Sequence, residues 1–127
     1  MLKKSIILIS ALFIAIQLFA DNFEDVAAAL KSGNAKQVST FFNTNLALTI
    51  MNDEGTYSKQ QAEVIMRNFF AQNPPKQVSI QHRGSSGQGA KYAVAIYECT
   101  NGKFRAYIFM KDAGNGLLIH ELRIEKD

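Results

Sequence analysis

Ser58-Lys59-Gln60-Gln61-Ala62-Glu63-Val64-Ile65-Met66-Arg67-Asn68-Phe69-Phe70-Ala71-Gln72 is the segment on which the fold turns. Ser58 followed three residues later by Gln61 is a capping box, in which each side chain satisfies the other's backbone N–H. Behind it Ala62, Ile65, Met66, Phe69 and Phe70 recur at helical spacing on one face, while Glu63 and Arg67 pair at i, i+4 on another. Pro74-Pro75 ends the run, because the residue before a proline is driven out of the helical region. A helix from Ser58 to about Gln72 with one apolar stripe must cover something.

The downstream sequence supplies the surface to be covered. Lys76–Arg83 places Val78, Ile80 and His82 in one phase and Gln77, Ser79 and Gln81 in the other. Gly84–Gly89 reads as a loose loop. Lys91–Thr100 is apolar on both faces, as in a central strand. Asn101-Gly102 is the strongest hairpin signal in the chain and leads into Lys103–Lys111, where Phe104, Ala106, Ile108 and Met110 alternate with Lys103, Arg105, Tyr107 and Phe109. Asp112–Gly116 turns into a last strand, Leu117–Glu125. Four antiparallel strands after a covering helix are thus expected.

Upstream, Asp21 or Asn22 can cap a helix carrying Phe23, Val26, Ala27 and Leu30 at i, i+3, i+4 and i+7, which Gly33 stops. Asn34 with Gln37 starts a second short helix that buries Val38, Phe41 and Phe42. Leu46, Leu48 and Ile50 then alternate as a strand, and Asp53-Glu54-Gly55 reads as its turn. The order is that of an α+β domain in which helices pack on a curved antiparallel sheet.

The first twenty residues are read separately. Lys3 and Lys4 precede a short apolar run that ends in small Ala20, the layout of a secretory signal peptide. The run is shorter than the ~20 apolar residues that span a bilayer. Cleavage near Ala20 leaves residues 21–127 as one exported domain, periplasmic or secreted, with no integral membrane segment. Retention as an N-terminal anchor is the alternative, since Leu18 is bulky where cleavage favours a small side chain.

Charge and composition narrow the function. The fourteen basic side chains fall to twelve once Lys3 and Lys4 are removed, against eleven acidic, and no basic cluster remains. Nucleic acid is therefore excluded as the expected partner. One Cys allows neither an internal disulfide nor a multi-cysteine metal site. Gly84-Ser85-Ser86-Gly87-Gln88-Gly89 fails both phosphate-loop patterns, having no Lys-Ser/Thr after its last glycine and Ser86 in the second-glycine position. Cys99 reads as a small buried apolar residue.

His82 and His120 are the only histidines. By alternation His82 shares a face with Val78 and Ile80, and His120 with Leu118, Leu122 and Ile124. Each is either a core or rim histidine, a general acid or base, or an anchor for a polar ligand. The expected pocket is the concave side of the sheet, with His82, His120, Ile108, Met110 and Leu122 as its candidate ligand-contacting residues. No metal ligand set, cofactor site or catalytic constellation is assignable. Arg105, Tyr107, Glu121, Arg123 and Glu125 read as a solvated face with cross-strand charge pairs, or as a protein-binding face.

Tyr57-Ser58-Lys59-Gln60-Gln61-Ala62-Glu63 with Phe69-Phe70, Tyr92, Thr100-Asn101-Gly102, Arg105 and Glu121-Leu122-Arg123-Ile124-Glu125-Lys126 carry a resemblance. From about Asn22 to Lys126 the chain resembles a domain-of-unknown-function family of small exported proteins of Bacteroidota-type bacteria. That family is similar to the cystatin-like cone typified by nuclear transport factor 2 and ketosteroid isomerase. The resemblance implies a curved sheet wrapped by helices and transfers no functional residue. Enzymes of that superfamily use carboxylates and tyrosines inside the cone, and no such pair is assignable here. A non-catalytic domain that binds a small apolar ligand or a protein is the leading expectation. An isomerase- or hydratase-like enzyme with a histidine base, and a structural homodimer formed through the sheet face, are the alternatives.

Overall fold

The computed structural model describes residues 22–114 and 116–127, so the expected signal peptide lies outside the described residues. Helices α1 (Phe23–Ser32) and α2 (Ala35–Ser39) lead into strands β1 (Phe42–Ile50) and β2 (Asp53–Ser58); α3 (Lys59–Gln72) follows, then β3 (Pro75–Gly87), β4 (Ala90–Cys99), β5 (Gly102–Asp112) and β6 (Leu117–Lys126). The strands form one six-stranded sheet in the order β2-β1-β6-β5-β4-β3.

Local chemistry sets the helix ends. The Ser58 hydroxyl accepts from the Gln61 N–H at 3.2 Å and the Gln61 side chain accepts from the Ser58 N–H at 3.0 Å, completing the capping box. Asn34 caps α2 by accepting from the Gln37 N–H at 3.1 Å. Gly33 closes α1 in the left-handed conformation, φ 67°, which only glycine adopts freely. Arg67 donates to Glu63 at 2.6 Å along α3.

Packing then places the helices over one face of the sheet. α1 lies against β3 and β4, α3 against β1 and β2, and α2 bridges to α3. The covered face contributes Ala93, Ala95, Tyr97, Phe104, Ala106, Ile108, Met110, Leu122 and Ile124, all 1% exposed or less. Phe69 of α3 sits in an aromatic cluster, its ring centroid 5.3 Å from both Tyr97 and Phe104. Tyr97 also donates its hydroxyl to the Asn73 carbonyl, while Asn101 donates to the Gln72 carbonyl at 3.0 Å. The β4–β5 turn is thereby tied to the end of α3. Burial, with a smaller contribution from Cys99, pushes the Tyr97 phenol far above its ordinary pKa, so it remains a donor.

Four details depart from the sequence-based expectations. The sheet is mixed: β3 to β6 form the antiparallel meander, but β1 joins β6 in parallel. Asp53-Glu54-Gly55 is strand, not turn, since Ile50 pairs with Asp53 and Met51-Asn52 makes the reversal. The glycine-rich segment continues β3 as far as Gly87.

The fourth concerns the histidines, whose faces are corrected by β-bulges. A register shift between Ile80 and His82 leaves Ile80 opposite buried Ala95 but puts His82 opposite Val94, on the uncovered face. A second shift, opposite Phe109 and Met110, makes His120 the extra residue of β6, so Ile119 is buried where Leu118 was expected. One inserted residue reverses the phase of everything beyond it.

Candidate functional site

Two segments distant in sequence form a cleft of about 790 Å³ between α3 and the β1–β2 hairpin. The sheet supplies Leu48, Ile50 and Tyr57, and the helix supplies Ile65, Asn68, Phe69 and Gln72. Those four helical positions fall at i, i+3, i+4 and i+7, so one edge of the apolar stripe carries two amides into the cleft wall. Leu48 and Phe69 form a buried floor, at 1% and 4% exposure. Ile50, Tyr57 and Ile65 are half-buried walls, and Met51, Asn52, Asp53 and Glu54 stand exposed at the mouth.

Two backbone features shape that mouth. Gly55 lets the Tyr57 ring lie flat over the strand, since a Cβ there would lie 2.7 Å from the ring and push it aside. Met51 adopts φ 54°, a left-handed conformation that costs a non-glycine residue roughly 1–2 kcal/mol. Its N–H donates to the Ile124 carbonyl at 2.7 Å, which anchors the turn to β6. The result is a thioether chain 43% exposed on the lip of the cleft, at a position where glycine would be unstrained.

The expected pocket residues lie elsewhere. Ile108, Met110 and Leu122 are all 0% exposed within one continuous core and line neither this cleft nor the two hollows on the opposite face of the sheet. His82 is exposed, its Nε2 sharing a 3.2 Å hydrogen bond with the Tyr92 hydroxyl. His120 is half-buried, and its Nδ1 donates to the Leu118 carbonyl at 3.1 Å. Strands β4 and β5 separate the two, so the structure does not bring the histidines together. Among the described residues no group of three His, Cys, Asp or Glu side chains is placed to hold a metal ion.

The uncovered face of the sheet is a second feature. Tyr92 and Tyr107 stack with centroids 6.1 Å apart, and His82 lies 5.7 Å from Tyr92. Arg105 reaches Asp127 at 3.0 Å, Lys103 reaches Glu98 at 3.4 Å, and Arg123 lies 3.6 Å from Glu125. Two shallow hollows of about 480 and 340 Å³ adjoin at Arg105. Burial raises the Tyr107 pKa, Glu121 and Tyr92 raise it further, and Arg123 opposes them.

Residues 23–125 match the family described as Domain of unknown function (DUF4783). The chain belongs to this family. A crystal structure of a DUF4783 family protein from Bacteroides ovatus ATCC 8483 is similar to it at 28% identity, with 81% of this chain and 93% of that chain covered and a TM-score of 0.77. A domain of unknown function with a cystatin-like fold from Nostoc punctiforme PCC 73102 shares the architecture at 6% identity, covering 83% of this chain and 72% of that chain, with a TM-score of 0.65. The protein Rd1NTF2_05 carrying five substitutions does so at 6% identity, covering 80% of this chain and 90% of that chain, with a TM-score of 0.63. The DUF4783 chain thus has the helix-covered, cystatin-like and NTF2-like sheet. No curated protein matches it.

The sequence reading missed Met51, Asn52, Asp53, Glu54, Asn68 and Gln72. One signal was available: Asn68 and Gln72 sit beside Ile65 and Phe69 in the helical stripe, and amides bordering an apolar face mark a wall that is only partly closed.

Proposed function

We propose that this DUF4783 domain is an exported, non-catalytic binding module whose site is the cleft between α3 and the β1–β2 hairpin. The observation that carries this is the cleft's composition: a buried apolar floor, half-buried walls, and a rim of amides and carboxylates. Such a lining accepts a small molecule with an apolar body and orients its polar end. Neither His82 nor His120 lines the cleft, which favours binding there over a histidine-base reaction. Nile red, an uncharged apolar dye, is expected to gain fluorescence on binding, and Asn68→Trp, which fills the cleft from an exposed position, to weaken that binding at least tenfold. Equal binding by the two proteins would place the dye elsewhere and overturn the assignment. Export rests on Lys3, Lys4, the apolar run and Ala20. N-terminal sequencing of the mature protein is expected to begin near Asp21, and recovery of Met1 would contradict cleavage.

A second reading is favoured by the uncovered sheet face, where Tyr92 and Tyr107 are only half-buried and both charge signs alternate around them. A two-fold axis through such a face sets basic side chains of one copy against acidic side chains of the other, so a second copy of this chain is its fitting partner. Tyr107→Glu is expected to shift sedimentation from dimer to monomer. A wild-type protein that is monomeric at 100 μM would dispose of this reading.

A further inference from the structure

We propose that the cleft selects ligands that carry a positive charge on an apolar body, and that Asp53 sets this preference. The inference rests on the cleft reading above and adds the chemical class of the ligand. Among the described residues Asp53 and Glu54 are the only charged residues that line the cleft, and both are exposed. Asp53 pairs with Ile50 and so shares the cleft face, whereas Glu54 pairs with Thr49, itself beside Arg123, on the opposite face of the sheet. Among the described residues Asp53 has no Lys or Arg ion-pair partner; the ion pairs formed by basic side chains lie along α3, between α1 and β3, and on the uncovered sheet face. Its carboxylate is therefore the negative charge at the cleft mouth.

The apolar part of the site lies directly below this charge. Leu48 and Phe69 close the floor, and the Tyr57 ring forms a wall. A cationic head leaving that floor meets an aromatic face and the Asp53 carboxylate together, and the ring quadrupole and the anion attract it. An anionic head in the same pose meets a like charge without a compensating donor other than amides. The arrangement thus separates two amphiphiles of equal chain length by the sign of the head alone. Strained Met51 adds a polarizable apolar lip that extends contact with the chain without adding charge.

Decyltrimethylammonium and decanoate, each below its critical micelle concentration, test this in competition with Nile red on the intact domain. The ammonium compound is expected to displace the dye at a concentration about tenfold lower in 20 mM salt, and the ratio to shrink severalfold in 0.5 M salt as screening sets in. Asp53→Asn should bring the two probes to near equality. This surface change leaves the core untouched, and an unchanged denaturation midpoint would confirm that the substituted protein is folded. Equal displacement by both probes on the wild type, with Asn68→Trp still blocking the dye, would overturn the charge preference and leave the cleft reading standing. Preference for decanoate would also overturn it. Dye binding insensitive to Asn68→Trp would end both readings.

Discussion

Replacing Phe69 by Ala is expected to destabilise the domain by about 3–5 kcal/mol in chemical denaturation, the usual cost of deleting a buried aromatic ring. Phe69 is 4% exposed and lies between the helix and the sheet, within 5.3 Å of the Tyr97 and Phe104 rings and 6.1 Å of Phe70. Its removal costs the transfer free energy of the ring and leaves a hole that three neighbouring aromatic rings cannot close without leaving their rotamers. The same residue is part of the cleft floor, so the variant should also bind Nile red more weakly under conditions where it stays folded. Val64, 49% exposed on the same helix, is the control: Val64→Ala should change stability by no more than about 0.5 kcal/mol. Comparable losses from both variants would mean that α3 presents a different face to the sheet.

Ile108→Ala carries the second large effect, about 2–5 kcal/mol, without a change in dye affinity. Ile108 is 0% exposed, opposite Ala93 on one neighbouring strand and Leu122 on the other. If it lined an open ligand pocket, truncation would cost little stability and would enlarge the site. In a packed core it leaves a cavity, and the cleft beside α3 is unaffected. Denaturant midpoints and Nile red titrations on the same preparation separate these outcomes. A stability loss under ~0.5 kcal/mol together with altered affinity would return the binding site to the interior of the cone.

What could be read from the chain followed the range of the signals. The α3 helix was legible because its capping box, ion pair and apolar stripe are all set within fifteen residues, Ser58 to Gln72. The Asn101-Gly102 hairpin was legible for the same reason. The β2 strand was not, because Asp53, Glu54 and Gly55 have turn composition, and the actual reversal uses Met51 in a conformation that sequence assigns to glycine. The parallel junction of β1 with β6 joins residues more than seventy positions apart and has no local marker.

The histidines show the same limit at single-residue scale. Alternation put His82 with Val78 and Ile80, but the register shift after Ile80 is set by pairing with β4, which no reading of β3 alone can contain. His120 is displaced in the same way by its pairing with β5. The cleft was hidden because each half looks ordinary: Asp53-Glu54-Gly55 reads as a turn, and Asn68 and Gln72 as helix surface. It emerges only when α3 crosses the hairpin.

The central claim is that the cleft beneath α3, rather than the interior of the cone or the uncovered sheet face, receives the ligand. Methyl and backbone-amide chemical shifts during titration with decyltrimethylammonium test it most directly. Perturbations at Leu48, Ile50, Met51, Ile65 and the Asn68 amide, with the signals of Ile108, His82 and Tyr107 unmoved, are the predicted result. Perturbations concentrated at Tyr92, Tyr107 and His82, or at Ile108 and Leu122, with the cleft residues silent, would contradict it.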